Sequence, residues 1–222
     1  MTSTTTSQDY LGQAWQDFLK HIPTLAAIFA ASIGIAIIDY GIYFAILLIS
    51  GGFSGSEYDV FSELVALIVT APITIINTLV GVLYIAVPAV YYAREEKVLP
   101  GEAFSLLFAR FWRYIGAGIV YTIAFSIGLL FCIIPGIIVG LATPIYVNRI
   151  FNSDQQPIEA LNSSISALFK SDKGWEFIGI QILTGLLVMV IGICTCGLGF
   201  FVAGPTGIFY IQKIGYIKGV IK

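Results

Sequence analysis

The stretch YIGAGIVYTIAFSIGLLFCIIPGIIVGLATPIYV, residues 114–147, carries no charged side chain and is punctuated past its middle by Pro135-Gly136. A helix crosses the ~30 Å hydrocarbon layer of a bilayer with about 20 apolar residues. In lipid its backbone groups must be paired within the segment. The stretch therefore reads as two membrane-crossing helices, 114–133 and 136–147, with Pro135-Gly136 as a tight reversal.

Four further apolar segments flank this hairpin, at 24–49, 61–93, 175–194 and 200–217. Gly51, Gly52, Ser54, Gly55 and Ser56 form a turn between the first two, and Gly197 and Gly199 a turn between the last two. Pro72 and Pro88 fall inside 61–93, which is longer than one crossing requires, so tilt or a kink is expected there. Composition agrees. The 222 residues are 58% hydrophobic and 11% charged, with mean hydropathy +0.92, whereas a soluble domain is about 25% charged. Too little polar surface exists to coat a water-soluble globule.

The basic residues give the spans a direction. Lys20 precedes the first span. Arg94, Lys97, Arg110 and Arg113 lie between the second and third. Arg149, Lys170 and Lys173 lie between the fourth and fifth, and Lys213, Lys218 and Lys222 lie at the C-terminal end. These are all eleven Lys and Arg of the chain, and they fall on one side. Glu57, Asp59 and Glu63 fall on the other. The positive-inside rule then expects both termini in the cytoplasm and three short outer turns, in a cell (inner) membrane.

Each of the three basic regions that precede a hairpin also holds an amphipathic pattern. Leu11, Trp15, Phe18 and Ile22 recur at helical spacing in 8–22. Phe104, Leu107, Phe108 and Phe111 mark 102–112. Ile158, Leu161, Ile165, Leu168 and Phe169 mark 157–170, with Pro157 suited to a first turn. Such helices lie in the headgroup layer with the apolar face down. Pro100, Glu102 and Ala103 match Pro157, Glu159 and Ala160. Trp112, Ile115 and Gly116 match Trp175, Ile178 and Gly179. Pro88 followed by Arg94 resembles Pro144 followed by Arg149, and more loosely Pro205 followed by Lys213. The expected fold is one all-α polytopic bundle over residues 1–222: about six transmembrane helices in three hairpins, each preceded by an amphipathic interfacial helix.

Few residues carry chemistry. Asp39 lies inside the first span, where a carboxylate costs roughly 2.5–3.5 kcal/mol on insertion scales. It is a candidate proton, cation or substrate contact, or it bonds a hydroxyl such as that of Tyr43 or a neighbouring helix, or it sits near the outer interface. Asn77 and Gln181 are the other strongly polar intramembrane side chains, and interhelical hydrogen bonding accounts for them. Arg110 and Arg113 are candidate contacts for anionic lipid headgroups. Cys132, Cys194 and Cys196 fall near outer turns and serve either as small apolar fillers or as partners in a disulfide. Gly136 and Gly140, and Gly215 and Gly219, are spaced for close helix packing, within the chain or across a homodimer. With His21 the only histidine, no metal site is expected, and no cofactor. Nucleophile-elbow, Walker A and zinc-protease motifs are absent.

From Tyr84 onward the chain resembles the six-helix membrane domain fused to some bacterial glycerophosphodiester phosphodiesterases, and its free-standing inner-membrane relatives. The residues that carry this are CIIPGII at 132–138, then Pro144, Tyr146, Ala160, Leu161, Ser164 and Lys173-Gly174. The resemblance implies the fold. It carries over no phosphodiesterase activity, since that domain is lacking, and no catalytic residue. The expectation is a non-enzymatic interaction or lipid-contacting module. The alternative is a small transporter or channel using Asp39 and the other intramembrane polar groups. Expected partners are membrane lipids and a second copy or another membrane protein, with no nucleic acid.

Overall fold

The computed structural model describes residues 7–50, 58–131 and 133–221. Regular structure there is helical: α1 (Ser7–Ser50), α2 (Tyr58–Arg94), α3 (Pro100–Ala109), α4 (Phe111–Phe131), α5 (Ile133–Asn152), α6 (Pro157–Lys170), α7 (Gly174–Cys194) and α8 (Phe200–Ile217). The chain is an all-α bundle of long apolar helices packed in pairs, the architecture of a multi-pass membrane protein. The expected turn at 51–56, together with Glu57, Cys132 and Lys222, lies outside the described residues.

Five helices, α1, α2, α4, α5 and α7, are long and apolar enough to cross a membrane. The sixth expected span, α8, is not among them and carries Gln212 and Lys213. It packs against α1, α2, α5 and α7, so its polar side chains find protein partners. Gln212 Nε2 donates to the Pro144 carbonyl at 2.9 Å, and Lys213 reaches Asp17.

Helix pairs α1/α2, α4/α5 and α7/α8 form the hairpins. The second member of each, α2, α5 and α8, touches the other two. These three inner helices are the ones bearing Pro88, Pro144 and Pro205. Asn148 ties them together, donating to Tyr216 Oη at 2.6 Å and facing the Ala89 carbonyl at 3.5 Å. Pro144 cannot supply the N–H that the Gly140 carbonyl would receive in an unbroken helix. The Thr143 hydroxyl donates to that carbonyl instead, at 2.6 Å, a local repair that permits proline at membrane depth. The buried core gathers toward the basic end, around Leu83, Val87, Val90, Leu107, Ile145, Phe177 and Phe209, while the hairpin tips expose Leu130, Phe131, Ile193 and Leu198.

Two local expectations differ from the structure. Pro135 and Gly136 do not form the reversal. They lie in the first turn of α5, which starts at Ile133, where proline loses no hydrogen bond. Gly136 is instead a contact point: a Cβ there would lie 2.4 Å from Leu129 Cδ2, and one on Gly128 would lie 2.8 Å from the Gly136 amide nitrogen. The glycine spacing thus serves packing within the α4–α5 hairpin.

The second difference concerns the N-terminal region. A separate interfacial helix over 8–22 is not formed. The chain runs as one 44-residue helix through Pro23, about 66 Å at 1.5 Å per residue. Three residues of its apolar stripe face outward, Leu11, Trp15 and Ile22 each more than 40% exposed, while Phe18 is buried beside Asp17, His21 and Thr24. In lipid, apolar side chains need no protein cover and polar ones do, which permits this mixed packing. The other two amphipathic helices are distinct. α3 packs between α2 and α4, and α6 between α5 and α7. Each begins with proline and buries part of its stripe, leaving Phe108, Ile158 and Phe169 exposed.

Candidate functional site

Charged side chains at the basic end fall into three groups. The first is centred on Asp17, 6% exposed. Its Oδ1 accepts from the Tyr91 hydroxyl at 2.9 Å and from Lys20 at 3.1 Å. Its Oδ2 accepts from the Tyr92 hydroxyl at 3.0 Å and from Lys213 at 3.4 Å. The Lys213 ammonium also sits over the Tyr92 ring, 5.8 Å from its centroid. One turn along α1, His21 is fully buried. Its Nδ1 lies 2.8 Å from the Asp17 carbonyl, and Nε2 lies 3.3 Å from the Val98 amide nitrogen. A carbonyl only accepts and an amide N–H only donates, so His21 is the neutral tautomer protonated on Nδ1. Thr24 completes the seam by donating to the Val98 carbonyl at 2.8 Å. With every oxygen of Asp17 engaged, this group joins α1, α2 and α8 and leaves no lone pair waiting for a ligand.

Arg110 and Arg113 belong to the second group, and they are not free. Both contact Asp154 Oδ1, Arg113 at 3.2 Å. Arg113 Nη2 also donates to the Ser153 carbonyl at 2.5 Å and the Gln155 carbonyl at 2.9 Å. The Arg110 hydrogen bond and charge, with Arg113 adding to them, hold the Asp154 carboxyl below its ordinary pKa. Nearby Arg94 bonds Glu102 at 3.2 Å. Arg94, Arg110, Ser153 and Asp154 line a cavity of about 470 Å³ together with Tyr114, Phe151 and Asn152.

The third group is a cavity of about 540 Å³ where α5, α6 and the ends of α7 and α8 meet. Arg149, Lys170, Lys173 and Lys218 line it, with Ser163, Ser166, Ser171 and Asp172. Lys218 pairs with Glu176. The side chains of Arg149, Lys170 and Lys173 make no hydrogen bond or ion pair among the described residues. This convergence was not readable from the sequence, which places these residues on one side of the membrane but not in one hollow. The signal available was the Arg149 position after Pro144 and the two lysines bracketing the α6–α7 corner.

The intramembrane polar residues do not assemble. Asp39 Oδ2 accepts from the Thr74 hydroxyl at 2.8 Å, so the hydroxyl partner is on α2 and is not Tyr43. Asp39 Oδ1, Asn77 Oδ1 and Gln181 Nε2 are buried atoms with no hydrogen-bond partner among the described residues. Gln181 is on α7, whose neighbours are α6 and α8, so packing does not bring it to Asp39 and Asn77. Cys194 and Cys196 are free, exposed thiols. Compared with known proteins, the chain matches no protein-family model, no curated protein and no solved structure.

Proposed function

We propose that this protein is a non-enzymatic, multi-pass module of a cell (inner) membrane, with both termini cytoplasmic, that engages anionic lipid at its basic end. The observation that carries this reading is the hollow of unpaired cations walled by the amphipathic helix α6. Anionic leaflets attract basic groups near the surface by about 1 kcal/mol per charge. The apolar residues that α3 and α6 expose, Phe108, Ile158 and Phe169, suit the acyl boundary beside those charges. The buried Asp17 group supports the same reading by tying α1, α2 and α8 at that end without offering a reactive atom.

Thermal unfolding of the purified protein tests it. Added phosphatidylglycerol is expected to raise Tm more than added phosphatidylcholine, and the excess is expected to shrink with salt. Equal shifts from the two lipids would rule the reading out. The transport alternative is favoured by one observation, the unpartnered acceptors on Asp39 and Asn77. Solute flux in vesicles that disappears in Asp39→Asn would establish it in place of the lipid-contacting reading.

A further inference from the structure

The two cation-lined cavities at the basic end occupy matching places in the internal repeat. One lies where the end of α2 meets α3 and the start of α4. The other lies where the end of α5 meets α6 and the start of α7. Arg94 follows Pro88 by six residues much as Arg149 follows Pro144 by five, and the Trp112 and Trp175 match sets Arg110 against Lys173. The two copies treat these charges differently. In the first, Arg94 is neutralised by Glu102, and Arg110 and Arg113 by Asp154. In the second, Glu159 matches Glu102 but makes no such pair with Arg149, and neither Asp172, at the cavity wall, nor Glu176 forms an ion pair with Lys173. Arg113 is matched by Glu176, which is taken by Lys218.

The geometry points to a binding site for a phosphate-type oxyanion in the second cavity, held by Arg149, Lys170 and Lys173. This rests on the lipid-contacting reading and narrows it to one site. Asp154 shows what the first cavity requires, an oxyanion shared by two cations, and supplies it from within the chain. The second cavity has the cations and room of about 540 Å³, which accommodates a phosphate group. Ser166 and Ser171 offer hydroxyls at its wall, suited to phosphate oxygens or to the polyol of a headgroup. Arginine supplies the fork that grips two such oxygens, and the lysines act as point charges. The shared chemistry is a phosphate ester or free phosphate near the membrane surface.

Native mass spectrometry of the detergent-purified full chain, titrated with phosphatidylglycerol against phosphatidylcholine, tests the site. Wild type is expected to retain one phosphatidylglycerol tightly. At about 1 kcal/mol per charge, Lys170→Gln with Lys173→Gln weakens this binding about 25-fold. Lys97→Gln, which removes an exposed basic residue outside this cavity, changes it less than about twofold, because that charge does not face the bound headgroup. Both cavity lysines are exposed, so the double variant is expected to keep the wild-type Tm. Asp154→Ala is expected to release Arg110 and Arg113 and admit a second anionic lipid. Displacement of the lipid by inorganic phosphate assigns the cavity to the oxyanion itself, and retention assigns it to a headgroup held also by its chains. If wild type prefers phosphatidylglycerol and the lysine double variant binds as well as Lys97→Gln, the site is wrong and the broader reading stands. If wild type shows no preference, both fall.

Discussion

Removing the Asp17 carboxylate would leave Tyr91, Tyr92 and Lys213 facing one another with no acceptor between them. A buried charge that loses its partner costs about 3–5 kcal/mol, so Asp17→Ala is expected to lower Tm steeply in detergent. An unchanged Tm would mean that the three donors find water instead. Asp154 behaves oppositely because it is 82% exposed. Its pKa is depressed, so the pairing with Arg110 and Arg113 contributes fully above the ordinary carboxylate value. That contribution fades only as pH falls through the depressed one. A carboxyl titration by NMR is expected to place its midpoint below the reference 3.8, and a midpoint at or above it would remove the ion pair. Asp17 was hidden in the sequence for a physical reason. Apart from Lys20, three residues on, its partners are 74 to 196 residues away, and the helix around it looks amphipathic. The pairing of Arg110 and Arg113 was hidden because the loop carboxylate that holds them, Asp154, follows a whole hairpin later.

Among the elements, the α4–α5 hairpin was the most legible, since 114–147 is an uncharged apolar stretch with one Pro-Gly dipeptide past its middle. The same dipeptide misled about the turn itself, because proline suits a first helical turn as well as a loop. Close approach of Gly128 to the Gly136 backbone carries a prediction at this scale. Gly128→Val forces the two helices apart and is expected to cost about 1–3 kcal/mol by overpacking, read as a lower Tm and faster proteolysis. Gly118, whose added Cβ would meet nothing within 4 Å, is the control: Gly118→Ala is expected to leave stability unchanged or slightly raised. Equal losses at both positions would contradict the packing described. Pro23 marked a helix boundary that does not exist, since a helix in a membrane protein tolerates proline where neighbours restore the lost bonding.

For the whole molecule, the census of basic residues and the helix pairing were readable because they depend on composition along the chain. The placement of α2, α5 and α8 at the centre was not, because it depends on which hairpins meet. The orientation is testable with native thiols. An impermeant maleimide is expected to label Cys196 from outside intact cells. Ser105→Cys, introduced without the native cysteines, is expected to react only after the membrane is opened. Labelling of both from one side would overturn the hairpin topology.

The most direct measurement is the composition of the lipid shell around the protein in nanodiscs of equal parts phosphatidylglycerol and phosphatidylcholine, read with spin-labelled lipids at low and high salt. The immobilised shell is expected to be enriched in phosphatidylglycerol, and the enrichment is expected to diminish as salt screens the exposed lysines. A shell with the bulk composition at both salt concentrations would contradict an anionic-lipid-binding basic end.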